Sequence, residues 1–128
     1  MDVKTRLMVV DDEPIVGKRL KSLLEKVGYD VKTFTDGSAA IEELVNNRFD
    51  IIITDLKMKN VDGMDILKTA LKSNHNSKVI MITGFSRKET ATEAFNKGAF
   101  EFIIKPFKID KLKQVIRKAE DELKKTGL

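Results

Sequence analysis

The chain has 128 residues, with 24 Lys and Arg against 20 Asp and Glu, a formal net charge of +4 and no cysteine. The lack of cysteine excludes a disulfide scaffold and a thiolate zinc site, and the apolar runs are far too short to span a membrane. Basic and acidic residues are interspersed, which is typical of a solvated surface rather than of a nucleic-acid interface. We therefore expect one domain over residues 1–128, with a core at about 5–123, that works in the cytoplasm without contacting membrane or nucleic acid.

Short apolar segments alternate with amphipathic segments along the chain. The apolar segments predict β-strands at residues 6–10, 30–34, 49–54, 78–83 and 100–104. The amphipathic segments predict helices at about 14–28, 38–47, 64–73, 88–97 and 109–125. Pro14 suits a first helical turn, Gly28 and Gly98 suit helix ends, and Ser86 with Glu89 matches a capping box for the fourth helix.

Each predicted helix carries an apolar face that we expect to pack on a sheet. In the first three helices these faces comprise Ile15, Val16, Leu20, Leu23, Leu24 and Val27, then Ile41, Leu44 and Val45, then Met64, Leu67, Ala70 and Leu71. In the last helix the face comprises Ile109, Leu112, Val115, Ile116, Ala119 and Leu123. Asp36 and Gly37 predict a turn before the second helix, and Tyr29 is expected to serve packing.

The alternation of strands and helices predicts the fold class. The third and fourth strands contain the runs IIIT and VIMIT, which are apolar without alternation, as in strands that are covered on both faces. We therefore expect an α/β fold, a doubly wound parallel sheet with helices on both sides. In such sheets, ligands bind at the carboxyl ends of the strands.

Charged and hydroxyl residues follow four of the five predicted strands. Asp11, Asp12 and Glu13 follow the first strand and Asp55 follows the third. The fourth strand ends in Thr83-Gly84, and Lys105-Pro106 follows the fifth. The topology would therefore bring three aspartates, one hydroxyl and one lysine to the same edge of the sheet.

Three neighbouring aspartates repel one another, and a single lysine does not neutralise them. An oxygen-only site without His or Cys favours Mg²⁺, with Mn²⁺ or Ca²⁺ as alternatives, although no calcium-loop pattern is present. Such a site suits phosphoryl transfer, in which Asp55 would be the nucleophile, and Thr83 and Lys105 would bind phosphoryl oxygens.

Each of these residues also has an ordinary structural interpretation. Asp12 and Glu13 could favour a helix N-terminus, and Asp55 could begin a turn. Thr83 could be a plain strand-end residue and Lys105 a plain loop residue. Their coincidence at one sheet edge, which depends on the predicted topology, favours the functional interpretation.

Four segments, MVVDDEP, IIITDLKMKNVDG, MITG and GAFEFIIKPF, resemble the motifs of one family in order and spacing. The chain is similar, over about residues 5–123, to the receiver domain of bacterial two-component response regulators. The resemblance implies a flavodoxin-like five-stranded sheet of order 2-1-3-4-5. It also implies a phosphorylation-activated signalling switch that catalyses only its own phosphorylation and dephosphorylation.

The resemblance assigns a role to each matching residue. Asp55 would accept a phosphoryl group from a histidine kinase or phosphotransfer protein, and Thr83 and Lys105 would bind that group. Mg²⁺, or alternatively Mn²⁺, would be held by Asp12, Asp55 and the Lys57 backbone carbonyl, with Asp11 acting mainly through water. Phe102 would be the aromatic switch residue, and the Lys105–Pro106 bond would be cis. A downstream protein or an output domain would then respond to the surface formed by the fourth helix, the fifth strand and the fifth helix.

Three positions depart from the usual family pattern. Lys59 replaces a frequent proline, so we expect a more mobile loop. The Lys57 ammonium lies two residues after Asp55, where we expect it to influence water access and phosphoryl lifetime. Phe102 replaces a frequent tyrosine and cannot donate a hydroxyl hydrogen bond, so a switch here must depend on packing.

Two other classes of protein fit less well. A phosphohydrolase with an aspartate nucleophile commonly has a second aspartate two residues later, where this chain has Lys57. A flavodoxin-like cofactor binder needs a Gly-, Ser- or Thr-rich phosphate loop after the first strand. The acidic residues Asp11, Asp12 and Glu13 at that point would repel phosphate.

Overall fold

The computed structural model describes residues 4–84 and 87–126. Its strands are β1 (Arg6–Val10), β2 (Asp30–Phe34), β3 (Ile51–Asp55), β4 (Lys78–Thr83) and β5 (Glu101–Ile104). Its helices are α1 (Pro14–Lys26), α2 (Gly37–Asn46), α3 (Gly63–Ser73), α4 (Lys88–Asn96) and α5 (Ile109–Thr126). Every predicted strand and helix is therefore confirmed, with small shifts at the ends. None of the described helices combines the length and the apolar character that crossing a membrane requires.

The strands form one parallel sheet in the order β2-β1-β3-β4-β5. All five residues of β3 are buried, because helices cover both faces of the sheet. Alternate residues of β1 point to opposite faces, so that Leu7 and Val9 join one core cluster and Met8 and Val10 join the other. The predicted doubly wound fold is confirmed.

The two helix layers each bury a separate core cluster. On one face, α1 and α5 contribute Leu20, Leu24, Leu112, Val115, Ile116 and Ala119 to the first core cluster. On the other face, α2, α3 and α4 contribute Ala40, Leu44, Ile66, Leu67, Ala70 and Ala94 to the second core cluster. Within α4, Ala94 is the one buried residue, so this helix buries less apolar surface against the sheet than the other helices do.

Three residues that were predicted to face the core are exposed. Ile15 is 63% exposed because α1 buries the stripe through Gly17, Leu20 and Leu24, and Ile15 lies about 200° around the helix from Gly17. Val45 is 65% exposed because it follows the buried Leu44 by about 100°. Val27 is 50% exposed because α1 ends at Lys26, which makes Val27 a capping residue. The predicted apolar faces were therefore too wide.

The helix ends show which capping signals hold. Gly28 and Gly98 adopt positive φ angles of 107° and 103° after α1 and α4, as expected for helix ends. Asp36 was predicted in a turn but is the N-cap of α2, where its Oδ1 accepts a hydrogen bond from Ser38 N at 3.0 Å. Ser86 lies outside the described residues, and the N-cap of α4 is Arg87, which makes no side-chain capping bond. The predicted capping box for this helix therefore stays a prediction.

Tyr29 does more than pack, because it joins a cluster at the amino edge of the sheet. Its hydroxyl donates to Glu120 Oε1 at 2.6 Å, and the Thr5 hydroxyl donates to Glu120 Oε2 at 2.8 Å. Burial of the phenol raises the pKa of Tyr29, and the hydrogen bond and charge of Glu120 raise it further. These contacts fix α5 to the segments before β1 and β2.

Gly63 begins α3 directly beneath the end of β3. Its N–H donates to the Leu56 carbonyl at 2.8 Å. A methyl group on Gly63 would lie 2.5 Å from the Asp55 carbonyl oxygen and 2.9 Å from Leu56 Cα. Both of these are backbone atoms, so they cannot move aside independently of the strand.

We expect Gly63→Ala to lower the free energy of unfolding by about 2 kcal/mol, because overpacking forces backbone shifts. Urea unfolding followed by circular dichroism measures this change. Gly84→Ala is the matched control, because no described heavy atom lies within 4 Å of a methyl group there. Equal stabilities of the two variants would show that the space at Gly63 is not constrained.

Candidate functional site

The register of the sheet brings the ends of β1 and β3 together. Val10 pairs with Thr54, so the next residues, Asp11 and Asp55, lie side by side. Asp55 also pairs with Ile82 of β4, and Thr83 pairs with Ile104 of β5, directly before Lys105. The parallel topology therefore places all four strand-end residues at one edge, as the sequence predicted.

Three carboxylates meet at this edge. Asp11, Asp12 and Asp55 each offer an oxygen within 4.8 Å of the others. Asp11 is 4% and Asp55 is 9% exposed, whereas Asp12 is partly buried. Burial and mutual repulsion both disfavour three ionised groups in so small a volume, so the cluster requires compensation by positive charge.

Lys105 supplies part of that compensation. Its ammonium lies 3.0 Å from Asp11 Oδ2 and 3.2 Å from Asp55 Oδ2, so it bridges the two most buried carboxylates. Burial favours the neutral amine, but the hydrogen bonds and charges of Asp11 and Asp55 outweigh burial and raise the pKa of Lys105. The lysine is therefore held in its charged form.

The remaining carboxylate oxygens are used unequally. Asp11 Oδ1 accepts a hydrogen bond from Glu13 N at 2.9 Å. Because Asp11 Oδ2 already accepts from Lys105, both oxygens of Asp11 have partners. Asp55 Oδ1 accepts a long hydrogen bond of 3.3 Å from Lys57 N. Asp12 makes no hydrogen bond or ion pair within the part of the chain that the structure describes. Its oxygens are thus available to a ligand.

The other predicted site residues lie nearby but play different structural parts. Thr83 is buried at the end of β4. Phe102 is half-buried against the second core cluster. It pairs with Met81, which lies two residues before Thr83 on β4. The Lys105–Pro106 bond is cis, and the Lys57 side chain is exposed.

Sequence reasoning missed two openings that flank this cluster. A cleft of about 240 Å³ lies beside Asp12, between the loops that carry Thr35 and Lys59. A larger apolar groove of about 770 Å³ runs from Lys105 along α1, lined by Ile15, Leu23 and Phe107. Because Ile15 was assigned to the core, this groove could not be predicted from the sequence. Its exposed position is the structural signal.

Comparison with known proteins identifies the class. The sequence profile of the response regulator receiver domain matches residues 7–117. The chain belongs to this family. Its members are phosphorylation-activated switches of two-component signalling rather than enzymes in the usual sense, and they bind Mg²⁺ at an acidic pocket.

Particular relatives agree with this assignment. The chain is 30% identical to the regulatory protein AtoC of Escherichia coli over 119 residues, which cover 93% of this chain and 26% of AtoC. It is 33% identical to the transcriptional regulatory protein ZraR of Salmonella typhimurium over 124 residues, which cover 97% of this chain and 28% of ZraR. The chain thus spans about a quarter of each of these relatives.

Solved structures confirm the fold. A CheY-like receiver domain from Methanospirillum hungatei superposes with a TM-score of 0.89 at 27% identity, covering 96% of this chain and 99% of the other. TrrA of Thermotoga maritima, solved with Mg²⁺ and BeF, gives a TM-score of 0.80 at 29% identity, covering 90% and 98%. The match to the receiver family, rather than the fold, sets aside the phosphohydrolase and the flavodoxin-like cofactor binder.

The crowding of carboxylates generates a stability prediction for the metal-free protein. Asp12→Asn should raise the free energy of unfolding by about 1 kcal/mol, because it removes one of three neighbouring negative charges. Glu13→Gln, which removes the same charge from an exposed neighbouring residue, should change it little. Urea unfolding in the presence of a chelator compares them, and an Asp12→Asn protein no more stable than the wild type would contradict the prediction.

The opposite change should follow loss of the compensating cation. Lys105→Met should lower the free energy of unfolding by roughly 2 kcal/mol, less than for a fully buried pair, because the lysine side chain is 23% exposed. Urea unfolding in the presence of a chelator measures this change in the free energy of unfolding. Lys108→Met, at an exposed lysine three residues later, is the control, and equal stabilities would show that Lys105 does not compensate the cluster.

Proposed function

We propose that Asp55 of this chain accepts a phosphoryl group in a Mg²⁺-dependent reaction and thereby switches the surface read by a partner. The observation that carries this proposal is the cluster of Asp11, Asp12 and Asp55, with Lys105 bridging two of them. A cluster of this kind is costly to hold in place. It becomes useful when a cation and an anionic group bind to it together.

The donor set fits a hard divalent cation. Carboxylate and carbonyl oxygens are the ligands that Mg²⁺ prefers, and Mn²⁺ accepts them too. We propose that Asp12, Asp55 and the Lys57 carbonyl hold the ion, with Asp11 acting through water. The available oxygens of Asp12 support this assignment, and the bound ion would neutralise charge on the phosphoryl oxygens.

The chemical step requires Asp55 to exchange partners. A carboxylate oxygen of Asp55 forms a bond to phosphorus while the bond from phosphorus to the donor's leaving atom breaks, which produces an acyl phosphate. Lys105 then transfers its contact from Asp55 Oδ2, now 3.2 Å away, to a phosphoryl oxygen. The Thr83 hydroxyl donates to another oxygen. Hydrolysis of the acyl phosphate returns the domain to its resting state.

The response would spread from Thr83 to the neighbouring face. Movement of Thr83 toward the phosphoryl group vacates space that the Phe102 ring can occupy, and this rearrangement rests on packing alone. Phe95 of α4 and Ile104 of β5 are 46% and 48% exposed on the adjoining surface. We propose that a downstream protein or output domain reads this surface of α4, β5 and α5.

The phosphodonor protein would approach from the other side. The apolar groove along α1 begins at Lys105, so a partner seated there reaches Asp55 directly. We propose that a histidine kinase or phosphotransfer protein docks at this groove, and that the reaction takes place in the cytoplasm, where ATP-dependent kinases find their substrate. AtoC is named a regulatory protein and ZraR a transcriptional regulatory protein, and both names support a regulatory output.

Incubation with acetyl phosphate and Mg²⁺ should add one phosphoryl group, detected by intact-mass spectrometry. The gain should vanish with a chelator and in Asp55→Asn, because both the cation and the nucleophile are needed. Asp121→Asn, an equivalent change at an exposed residue of α5, should accept the group as the wild type does. Phosphorylation of Asp55→Asn at the wild-type level would refute Asp55 as acceptor.

Lys57→Ala should shorten the lifetime of the phosphorylated domain. The backbone N–H of Lys57 donates to Asp55, and the Lys57 side chain is exposed. We propose that this side chain hinders the approach of water to the phosphoryl group. The rate of phosphoryl loss after removal of acetyl phosphate measures the effect, with Lys68→Ala on the exposed face of α3 as control. Equal rates for wild type and Lys57→Ala would dismiss this role.

A further inference from the structure

The loop between β3 and α3 carries the backbone proposed to bind the metal. It leaves the strand at Leu56 and returns at Gly63, where the hydrogen bond from Gly63 N to the Leu56 carbonyl closes its base. Next to this hydrogen bond, Lys57 N donates to Asp55 Oδ1 at 3.3 Å. The position of the Lys57 carbonyl is therefore set by whatever fixes the middle of the loop.

A contact with α2 fixes the far side of this loop. Val61 is partly buried and packs against the second core cluster. A methyl group on Gly37 would lie 2.8 Å from Val61 Cβ, 3.3 Å from its Cγ1 and 3.3 Å from its carbonyl oxygen. Val61 thus occupies the space that a side chain at Gly37 would fill.

Space, rather than backbone conformation, makes glycine necessary at this position. The glycines with positive φ among the described residues are Gly28 and Gly98, and Gly37 is not one of them. Gly37 is the first residue of α2, whose start is held by the Asp36 cap and by the bond from Ala40 N to the Asp36 carbonyl at 3.1 Å. If the two collide, we expect the loop at 57–60, which is exposed apart from Met58, to shift before the capped helix does.

We propose that Gly37 is a positioning residue for the metal site: its missing side chain seats Val61 on α2 and thereby sets the position of the Lys57 carbonyl. This inference rests on the proposed binding of Mg²⁺ and extends it to a residue that touches neither metal nor phosphoryl group. The loop is anchored at its base by the hydrogen bond between Gly63 and Leu56. Displacement of Val61 therefore moves the segment that connects Leu56 to Val61, and this segment includes Lys57.

The test is a titration with Mg²⁺ alone, followed by amide NMR shifts. Gly37→Ala should weaken Mg²⁺ binding roughly tenfold, as is usual when support behind a metal ligand is lost. Its far-UV circular dichroism should remain that of the wild type. In the double variant Gly37→Ala with Val61→Gly, the methyl group added at residue 37 occupies the space that the Val61 side chain leaves. This variant should therefore recover most of the wild-type affinity for Mg²⁺.

Gly98→Ala separates positioning from general destabilisation. A methyl group there would lie 2.7 Å from Leu71 Cδ1, and the positive φ of 103° adds strain. Gly98 precedes β5 and therefore lies at the amino edge of the sheet, opposite the edge that carries the metal loop. This variant should lose stability and keep its affinity for Mg²⁺. Val61→Ala, which introduces no clash, should also weaken Mg²⁺ binding and serves if Gly37→Ala does not fold.

Three results would overturn the inference. The first is a folded Gly37→Ala protein that binds Mg²⁺ with wild-type affinity. The second is a double variant whose affinity for Mg²⁺ is no higher than that of Gly37→Ala, and the third is an equal loss of Mg²⁺ affinity in Gly98→Ala. If Gly37→Ala does not fold, wild-type affinity in Val61→Ala overturns it as well. A wild-type protein that does not bind Mg²⁺ would instead refute the proposed metal site itself, and this inference with it. The wild-type titration therefore distinguishes the two failures.

Discussion

Compensation of charge at the carboxyl edge of the sheet is the constraint around which the rest of the molecule is arranged. Asp11 and Asp55 are almost fully buried beside Asp12, and such a group of carboxylates is tolerated only with a cation close by. In the described structure the nearest cation is the Lys105 ammonium, 3.0 Å from Asp11. Because the lysine side chain can withdraw whereas the carboxylates are held at the strand ends, the cluster can receive a ligand that brings its own positive charge.

The sheet supplies the rigidity that this arrangement requires. Every residue of β3 is buried, and neighbouring strands hold it in register from both sides. Asp55 is therefore presented by the stiffest element of the protein. Lys57 and Lys105, by contrast, lie in a loop and in the segment after an edge strand. Asp55 is therefore held in a fixed position, whereas Lys57 and Lys105 lie in segments that are less constrained.

Much of the fold and of the candidate site could be predicted from the sequence. Uninterrupted apolar runs are typical of strands that are covered on both faces, and such a run predicted β4 at residues 78–83. The residue after each run then identified Asp11, Asp55 and Lys105, because parallel topology converts strand ends into neighbours. The roles of these residues in phosphoryl transfer remain predictions that the geometry supports.

What could not be predicted depends on three-dimensional space. Hydrophobicity alone does not show that α1 buries a narrow stripe, so Ile15 was assigned to the core although it lines an open groove. Gly37 was interpreted as a turn residue, since its closeness to Val61 arises between segments far apart in sequence. The Asp62–Asp65 capping box of α3 was missed because aspartate replaces the usual Ser or Thr and Glu.

The thin attachment of α4 has a consequence for how the domain distributes its stability. A helix that buries a single alanine contributes little apolar area to the core, so its detachment requires far less free energy than global unfolding. The neighbouring strand β5 buries only Ile103 among its four residues. Thermal fluctuations should therefore sample displaced arrangements of α4 and β5 while the other four strands stay intact. The molecule combines a fully buried central strand with an adjoining region in which a small change in free energy redistributes the populated conformations.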